Sequence, residues 1–320
     1  MGMRCVVLTG DGTAERPCRL EELRGYADAG AFGWIDLRDP VMSELEELHQ
    51  LLGLHELAVE DTLNAGQRSK VEHYGDDLVF VVVKDASYEP GGAGLQLSEI
   101  HVFVGNDCVV TVSRDMNDLV ARVQTEAPRL GLRDPLAVLH AVVDRVVDGH
   151  LAALDVIAGE AQALERRVFS RDDMADLAPD IYDLKRDVLE LWHDTEPLLD
   201  PLTDMVGRLA GANDARAPYF RDVADHLRQV VSRLERMRDL LTDAQDANLA
   251  RLGVRQNDDM RKMSAWGALF LLPSVLVGLW GMNFQHMPEL GQPWGYPAAL
   301  AVIALSCLAL WWRLRRAGWL

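Results

Sequence analysis

Two long uncharged stretches near the C-terminus constrain this chain more than any other feature of its sequence. Residues 263–284 and residues 294–312 contain no Asp, Glu, Lys or Arg over 22 and 19 positions, respectively. About 20 apolar residues in a helix, which rises about 1.5 Å per residue, cross the roughly 30 Å of hydrocarbon in a membrane. A pair of buried core helices is the alternative. The lengths favour a hairpin of two membrane-spanning helices.

The charges that flank these stretches predict an orientation. Arg261 and Lys262 precede the first stretch, Arg313, Arg315 and Arg316 follow the second, and the loop between them contains no Lys or Arg. Short segments rich in Lys and Arg stay on the cytoplasmic side of a membrane. We therefore expect a multi-pass protein of the inner (plasma) membrane with both termini in the cytoplasm.

Charge is distributed unevenly along the chain. The 320 residues include 32 Lys and Arg against 50 Asp and Glu, for a net charge of −18, and residues 263–320 contain only three Arg and one Glu. Residues 1–262 therefore carry a charge of −20. This acidic part disfavours nucleic-acid binding, which needs a basic surface. The four cysteines lie too far apart for a zinc knuckle, and their spacing suggests neither a zinc site nor a disulfide framework.

The first 130 residues predict a mixed α/β domain. Short runs rich in β-branched residues alternate with turn residues, and Met42–Leu52 has helical spacing that begins with Ser43 and Glu46 as a capping box. The predicted strands are Cys5–Thr9, Gly33–Leu37, Leu78–Lys84, Glu99–Val104 and Asp107–Ser113, with a turn rich in Pro and Gly at residues 89–94.

From residue 135 onward the apolar pattern becomes helical. Residues 136–169 and 181–199 carry apolar side chains three and four apart, and residues 218–261 continue the pattern into the first membrane stretch. A helix from Pro218 to about Met282 would be on the order of 100 Å long, which is typical of a stalk. The predicted organisation is a cytoplasmic α/β domain (1–130), a cytoplasmic helical stalk region (131–262), a first spanning helix (263–284), an outer loop (285–293), a second spanning helix (294–313) and a basic cytoplasmic tail (314–320).

One face of this long helix carries small and polar residues at heptad spacing. Such spacing is typical of helices that pack around an axis. Two interpretations remain open: close helix packing through small residues, or the wall of a water-filled passage that Met260 and Leu271 narrow. Because a single hairpin cannot enclose a polar path, a passage requires several copies of the chain. We call this set the small-residue stripe; it comprises Asp246, Gly253, Asn257, Met260, Ser264, Gly267, Leu271, Ser274, Gly278 and Gly281.

The outer end of the first membrane stretch carries a recognisable motif. It ends in Gly281-Met282-Asn283, and the loop continues as Phe-Gln-His-Met-Pro-Glu-Leu over residues 284–290. This tripeptide, followed by a Met-Pro-Glu-Leu loop and a last spanning helix, closely resembles the CorA family of divalent-cation channels. The resemblance covers most of the chain, with further similar segments at residues 54–61 (LHELAVED), 67–72 (QRSKVE) and 218–223 (PYFRDV).

The resemblance implies a funnel-shaped homopentamer with an α/β cytoplasmic domain, a long pore-lining stalk helix and a second spanning helix outside it. It implies that hydrated Mg²⁺ passes a selectivity filter formed by Gly281, Met282 and Asn283 of each copy. Neutral amide and carbonyl oxygens suit an ion that gives up its water reluctantly. Asn283 is alternatively a helix C-cap, a position that Asn favours. The pore-lining and gate positions that the resemblance implies are Asp246, Asn257, Met260, Met263, Leu271 and Ser274, of which Met263 lies off the stripe and has core or lipid packing as its alternative.

Acidic residues are implied at both ends of the path. Glu289 is the only charged residue of the outer loop and would raise the cation concentration at the mouth; an ordinary exposed acid is the alternative. In the family, intracellular Mg²⁺ bridges an acid of the α/β domain and an acid of the stalk between adjacent copies, and thereby closes the channel. Glu89, where Asp is more usual, and Asp222 occupy the matching positions.

The intact tripeptide favours Mg²⁺ as the transported and regulatory ion, with Co²⁺, Zn²⁺ and Ni²⁺ as alternatives and membrane lipid as a further partner. A membrane-anchored ion sensor that does not conduct is the alternative from another class of protein. We do not expect an enzyme, since His55-Glu56 lacks the second His of a zinc-hydrolase motif and no phosphate-binding loop or nucleophile elbow is present. His55, His73 and His101 are interpreted as surface or strand-edge residues.

Overall fold

The computed structural model describes residues 2–9, 15–17, 31–64, 66–75, 78–114, 118–170, 176–282 and 291–320. They form two compact units, Met1–Ala244 and Gln245–Leu320, which we describe in turn. The domain boundaries predicted at residues 130 and 262 stay predictions.

A seven-stranded mixed sheet forms the centre of the first unit. Its strands are β1 (Gly2–Thr9), β2 (Glu15–Pro17), β3 (Ala31–Arg38), β4 (Lys70–Tyr74), β5 (Leu78–Glu89), β6 (Gly94–Val104) and β7 (Cys108–Ser113). The strand order is β2-β1-β3-β7-β6-β5-β4. Neighbouring strands are antiparallel except β3 and β7, which run parallel. All five predicted strands are therefore confirmed.

Both faces of the sheet are buried, which explains why its central strands are continuously apolar. In β5, Val81 and Val83 belong to one hydrophobic cluster, whereas Phe80 and Val82 belong to another. Successive side chains of a strand point to opposite faces, so the two clusters lie on the two sides of the sheet.

Helices cover each face of the sheet. On the face of Phe80 and Val82 lie α1 (Met42–Leu52) and α2 (Glu56–Leu63). The other face is covered by α3 (Leu119–Leu130), α4 (Pro135–Phe169), α6 (Leu199–Gly211) and the beginning of α7 (Ala217–Trp280). Helix α5 (Ala178–Thr195) contacts α4 and continues through a short 3₁₀ turn, Glu196–Leu198, into α6. The first unit is therefore an α/β layered domain, as the sequence predicts.

The predicted start of α1 is wrong in its detail. Helix α1 begins one residue after Val41, whose N–H donates a 3.0 Å hydrogen bond to Oε2 of Glu44. Ser43 and Glu46 consequently lie inside the helix rather than at its N-cap. The Ser-x-x-Glu spacing matches a capping box, but the carboxylate of Glu44, two residues before Glu46, caps the helix instead.

The second unit contains the end of α7 and helix α8 (Gly295–Arg316), which are the two candidate membrane spans. In the most apolar part of each helix almost every residue is exposed or half-buried in the single chain, and almost none is buried. A core helix of a soluble protein would be mostly buried, so this exposure favours contact with lipid or with further copies of the chain. Helix α7 is continuous through Pro273.

The structure contains a disulfide bond that the sequence does not predict. Cys5 of β1 is disulfide-bonded, and its partner lies outside the described residues. Cys108 and Cys307 are free thiols. Pairing of strands brings together residues that are distant in the sequence, so cysteine spacing alone does not reveal such a bond.

Candidate ion pathway and regulatory residues

The small-residue stripe forms one exposed face of α7. All ten of its residues are exposed in the single chain. The less exposed residues of the membrane segment lie on the other side of the helix, beginning with Ala265, which is 1% exposed. Those that follow it are half-buried: Leu269, Leu272, Pro273, Leu276 and Trp280. The second unit therefore uses one face of α7 for packing and leaves the stripe uncovered.

The stripe offers both polar groups and large apolar side chains to whatever lies against it. Met260 and Leu271 are 68% and 64% exposed, although such side chains are normally buried in a soluble protein. Ser274 lies between them and the outer end, and its hydroxyl donates a 3.0 Å hydrogen bond to the carbonyl oxygen of Phe270. Because that proton is used within the helix, the hydroxyl oxygen presents lone pairs outward. An outward acceptor suits a hydrated cation, whose water molecules donate hydrogen bonds.

The remaining predicted pore positions are also exposed. Asp246 and Asn257 lie on the stripe toward the start of the second unit, and Met263 is 74% exposed beside the stripe. The structure thus places all six predicted pore-lining and gate residues on the surface of one helix. Whether they face an ion path stays a prediction, because a single chain encloses no path.

Helix α7 ends where the predicted filter begins. The N–H of Gly281 donates a 2.9 Å hydrogen bond to the carbonyl oxygen of Val277, and Met282 follows with a longer bond of 3.4 Å to Leu279. A Cβ atom on Gly281 would lie 3.2 Å from the carbonyl oxygen of Val277, which is a tight contact. Glycine therefore fits this turn without strain. Asn283 and Glu289 lie outside the described residues.

The two predicted regulatory acids are both exposed in the first unit. Glu89 is the last residue of β5 and lies opposite Gly94 across the hairpin. Asp222 lies in the first turns of α7, with one carboxylate oxygen 4.0 Å from Nδ1 of His226. In the part of the chain that the structure describes, no group of three His, Cys, Asp or Glu side chains could hold a metal ion. The regulatory site that these two acids are expected to form stays a prediction.

A pocket that the sequence does not reveal lies next to Glu89. It has a volume of about 430 Å³ and is bordered by the turn between β5 and β6 and by α4 and α5. The hydroxyl of Tyr88 donates a hydrogen bond to Oε2 of Glu160, and burial together with this bond raises the pKa of Tyr88. Asp187, which is 5% exposed, pairs with Arg186 at 3.3 Å. The hairpin that carries Glu89 is thus held against acidic helices.

A network of buried polar side chains links β6 to α2. Oε1 of Glu99 lies 2.6 Å from Nε2 of His101, whose Nδ1 lies 3.1 Å from the hydroxyl of Thr62. Oε2 of Glu99 accepts a 2.9 Å hydrogen bond from the N–H of Gly66. Burial raises the pKa of the Glu99 carboxyl, but the hydrogen bond and charge of His101 and the Gly66 N–H outweigh burial and hold that pKa below its ordinary value. His101 is fully buried, so its interpretation as a surface or strand-edge residue is wrong.

Comparison with known proteins gives a consistent result over nearly the whole chain. A family model described as "CorA-like Mg2+ transporter protein" matches residues 29–316. The cobalt/magnesium transport protein CorA of Thermotoga maritima is 27% identical over 307 residues, which cover 94% of this chain and 87% of that protein.

Two solved structures share the fold. The complete CorA magnesium transporter from Methanocaldococcus jannaschii matches with a TM-score of 0.80 and 19% identity, covering 100% of both chains. The full-length CmaX protein matches with a TM-score of 0.77 and 21% identity, covering 99% of this chain and 97% of that one. At these identities the likeness shows the fold alone: an α/β domain, a long helix and two C-terminal spanning helices.

Proposed function

The chain belongs to the family of CorA-like Mg²⁺ transporter proteins, a family of divalent-cation transporters rather than enzymes, and we propose that it passes Mg²⁺ through a membrane pore lined by α7. The observation that carries this proposal is the exposed small-residue stripe, which runs along α7 to Gly281. The names of the relatives and the two candidate spanning helices support a location in a membrane.

The pore requires several copies, and we propose a homopentamer as the family resemblance implies. In the single chain the stripe has no cover, although it includes apolar side chains as large as Met260 and Leu271. Association around an axis would remove these side chains from water or lipid and place the stripe inside. Hydroxyl, amide and carboxylate groups would then line a wet passage, and the two apolar residues would form a constriction that closes by dewetting. Met263 beside the stripe and the inner pair Asn257 and Asp246 complete the proposed path.

The proposed filter lies where α7 ends. Gly281 and Met282 follow the last helical turn, and we propose that their carbonyl groups face the ion path. Five copies of these carbonyls and of the Asn283 amide would bind the water shell of Mg²⁺ rather than the bare ion, which is the easier task for an ion that dehydrates slowly. Neutral ligands also keep binding weak enough for release. Glu289 would attract cations to the mouth.

Regulation is proposed to use Mg²⁺ between adjacent copies. Glu89 and Asp222 are exposed carboxylates, and within the described part of the chain neither belongs to a group of three His, Cys, Asp or Glu side chains that could hold a metal ion. Residues 1–262 carry −20, so copies brought together repel one another unless cations screen or bridge them. Mg²⁺ bound between copies would stabilise the closed assembly, and its loss would release it, since a ligand shifts an equilibrium only through its preference for one state.

Ion uptake tests the transport proposal directly. Purified protein in vesicles that contain a Mg²⁺ indicator should show Mg²⁺ entry, and Asn283→Ala should abolish most of it while the oligomer remains intact. Gln292→Ala is the matched control, because it removes an exposed side-chain amide from the loop side of the same helix hairpin. Unchanged selective uptake in Asn283→Ala would refute the filter assignment.

The same assay separates the alternatives. Uptake of Co²⁺, Zn²⁺ and Ni²⁺, measured in parallel, ranks the transported ions. Faster entry of Zn²⁺ than of Mg²⁺ would identify Zn²⁺ as the substrate in place of Mg²⁺. A non-conducting ion sensor would show no uptake of any of these ions while still binding them.

A further inference from the structure

The last turn of α8 carries two arginines stacked on two tryptophans. The guanidinium carbon of Arg315 lies 5.1 Å from the ring centroid of Trp311, and that of Arg316 lies 5.4 Å from the ring centroid of Trp312. A cation over the face of an indole ring is attracted by the ring's quadrupole. Each arginine follows its tryptophan by four residues, so the two pairs lie side by side on adjacent faces of one helical turn.

Basic side chains often bind the last carbonyl groups of a helix. At the end of α8, backbone N–H groups bind carbonyl groups instead of the side chains of Arg315 and Arg316. Gly318 has a positive φ of 73°, and its N–H donates a 3.2 Å hydrogen bond to the carbonyl oxygen of Arg315. The N–H of Trp319 donates a 3.0 Å bond to the carbonyl oxygen of Leu314. This pair of bonds is a Schellman motif, which satisfies terminal carbonyl groups of the helix. The guanidinium groups are therefore available to a ligand.

The stacked pairs point away from the packed side of α8. Leu310 and Leu314 are half-buried, whereas Arg315, Arg316 and both tryptophans are exposed. Arg313 is exposed in the same turn and adds a third positive charge. In the parts of the chain that the structure describes, none of these three arginines forms an ion pair with a carboxylate.

We propose that this cluster binds the headgroup phosphate of an anionic phospholipid in the cytoplasmic leaflet. Trp residues at the end of a spanning helix lie at the level of lipid headgroups. A guanidinium group binds two phosphate oxygens at once, and the anionic cytoplasmic leaflet attracts basic residues beside a spanning helix. A carboxylate of another copy would balance the charge as well, but it would give the exposed tryptophans no apolar surroundings. The inference requires that α8 spans the membrane, and it does not depend on which ion the protein passes.

Lipid titration of the full-length protein in detergent tests the proposal. Bound lipid is counted by native mass spectrometry with phosphatidylglycerol and phosphatidylcholine as probes, and we expect tighter binding of phosphatidylglycerol. Arg315→Gln with Arg316→Gln should weaken that binding by on the order of twentyfold, or about fivefold per arginine. Arg122→Gln with Arg129→Gln, which removes two exposed arginines from α3, should leave it unchanged.

A conservative variant tests whether weaker lipid binding by the Gln variant results from misfolding or from reversed insertion into the membrane. Arg315→Lys with Arg316→Lys keeps the charges that orient the helix but loses the planar, stacked groups, so it should retain a preference for phosphatidylglycerol with reduced affinity. Equal binding of the two lipids by the unaltered protein would overturn the proposal. Undiminished phosphatidylglycerol binding by the Gln variant, or binding of inorganic phosphate as tight as that of the lipid, would overturn it too.

Discussion

The hydroxyl of Ser69 donates a 2.6 Å hydrogen bond to Oδ1 of Asp194, and both residues are buried. The bond joins the segment before β4 to the last turn of α5, across 125 positions of sequence. Nζ of Lys84 approaches the same carboxylate oxygen at 3.5 Å, whereas Oδ2 has no hydrogen-bond partner among the described residues. Ser69 is thus the closest donor to a buried acid that connects the sheet to the helices.

Ser69→Ala should destabilise the first unit. Removing the donor leaves a buried carboxylate with one fewer partner, which costs about 1–3 kcal/mol. The apparent melting temperature of the purified full-length protein, measured at one heating rate, should fall. Ser87→Ala is the control, because Ser87 lies in the neighbouring strand β5 but is exposed. Equal melting temperatures for Ser69→Ala and the unaltered protein would show that water or Lys84 replaces the hydroxyl fully.

Burial of His150 predicts that the protein loses stability in mild acid. Burial lowers the pKa of His150 below its ordinary value near 6.5, against the opposing effects of Asp194, of the Lys84 carbonyl and of Asp85. Its Nε2 donates a 2.7 Å hydrogen bond to the carbonyl oxygen of Lys84. Below pH 6.5 the unfolded chain takes up a proton at this histidine that the folded chain resists. The contribution of His150 to the free energy of unfolding is therefore complete above that pH. Below it, the free energy of unfolding decreases by at most about 1.4 kcal/mol per pH unit.

His150→Gln should flatten this dependence while keeping a donor for the Lys84 carbonyl. The measurement is the drop in apparent melting temperature between pH 7.5 and pH 5.5, which should be smaller in the variant. His193→Gln removes an exposed histidine of α5 and should leave the drop unchanged. If the apparent melting temperature of His150→Gln falls as much as that of the unaltered protein, groups other than His150 cause the acid sensitivity.

Regular structure follows from local patterns, whereas the buried polar groups do not. Strands β5 and β6 and helices α4 and α7 are predictable because apolar residues recur at the spacing of each element. The position of His101 is not, because its partners are a strand neighbour, Glu99, and a helix residue 39 positions away, Thr62. A histidine in a strand of mixed polarity looks like an edge residue until the fold supplies those partners. The pocket beside Glu89 is hidden for the same reason, since α4 and α5 form it together.

The candidate pore is predictable in a different way. Heptad spacing identifies one face of α7 without any knowledge of the fold, and in the structure of the single chain this face is exposed. Spacing cannot decide between a packed seam and a wet passage, because small residues serve both. The choice between these two structures depends on the distance between the α7 helices of neighbouring copies.

Gly278→Leu decides between these two interpretations of the stripe. Among the described residues of the single chain, no heavy atom lies within 4 Å of where a Cβ atom on Gly278 would be, and replacing glycine within a helix gains up to about 1 kcal/mol of helix stability. We therefore expect the main effect of the substitution to arise between copies. If the stripe lines a passage, as we propose, the oligomer stays intact by size-exclusion chromatography while Mg²⁺ uptake stops.

The opposite result is equally clear. If the stripe is a packed seam, Gly278→Leu breaks the oligomer, because the larger side chain separates the helices. Gly207→Leu, at a helical glycine of α6 with similarly open surroundings, should change neither oligomer nor uptake. Normal Mg²⁺ uptake by Gly278→Leu would show that the stripe neither lines a passage nor forms a packed seam.

Glu89→Gln combined with Asp222→Asn should leave a transporter that internal Mg²⁺ no longer closes. The proposed bridge between copies needs a carboxylate from each side, and both residues are exposed. In vesicles loaded with increasing Mg²⁺, uptake by the unaltered protein should decline as the internal concentration rises, whereas uptake by the double variant should stay near its initial rate. Glu46→Gln with Asp204→Asn removes two other exposed acids of the same unit, so it tests whether the effect comes from net charge alone. A decline in the Glu89/Asp222 variant that matches the unaltered protein would refute the regulatory site, while the transport proposal would stand on the Asn283→Ala result.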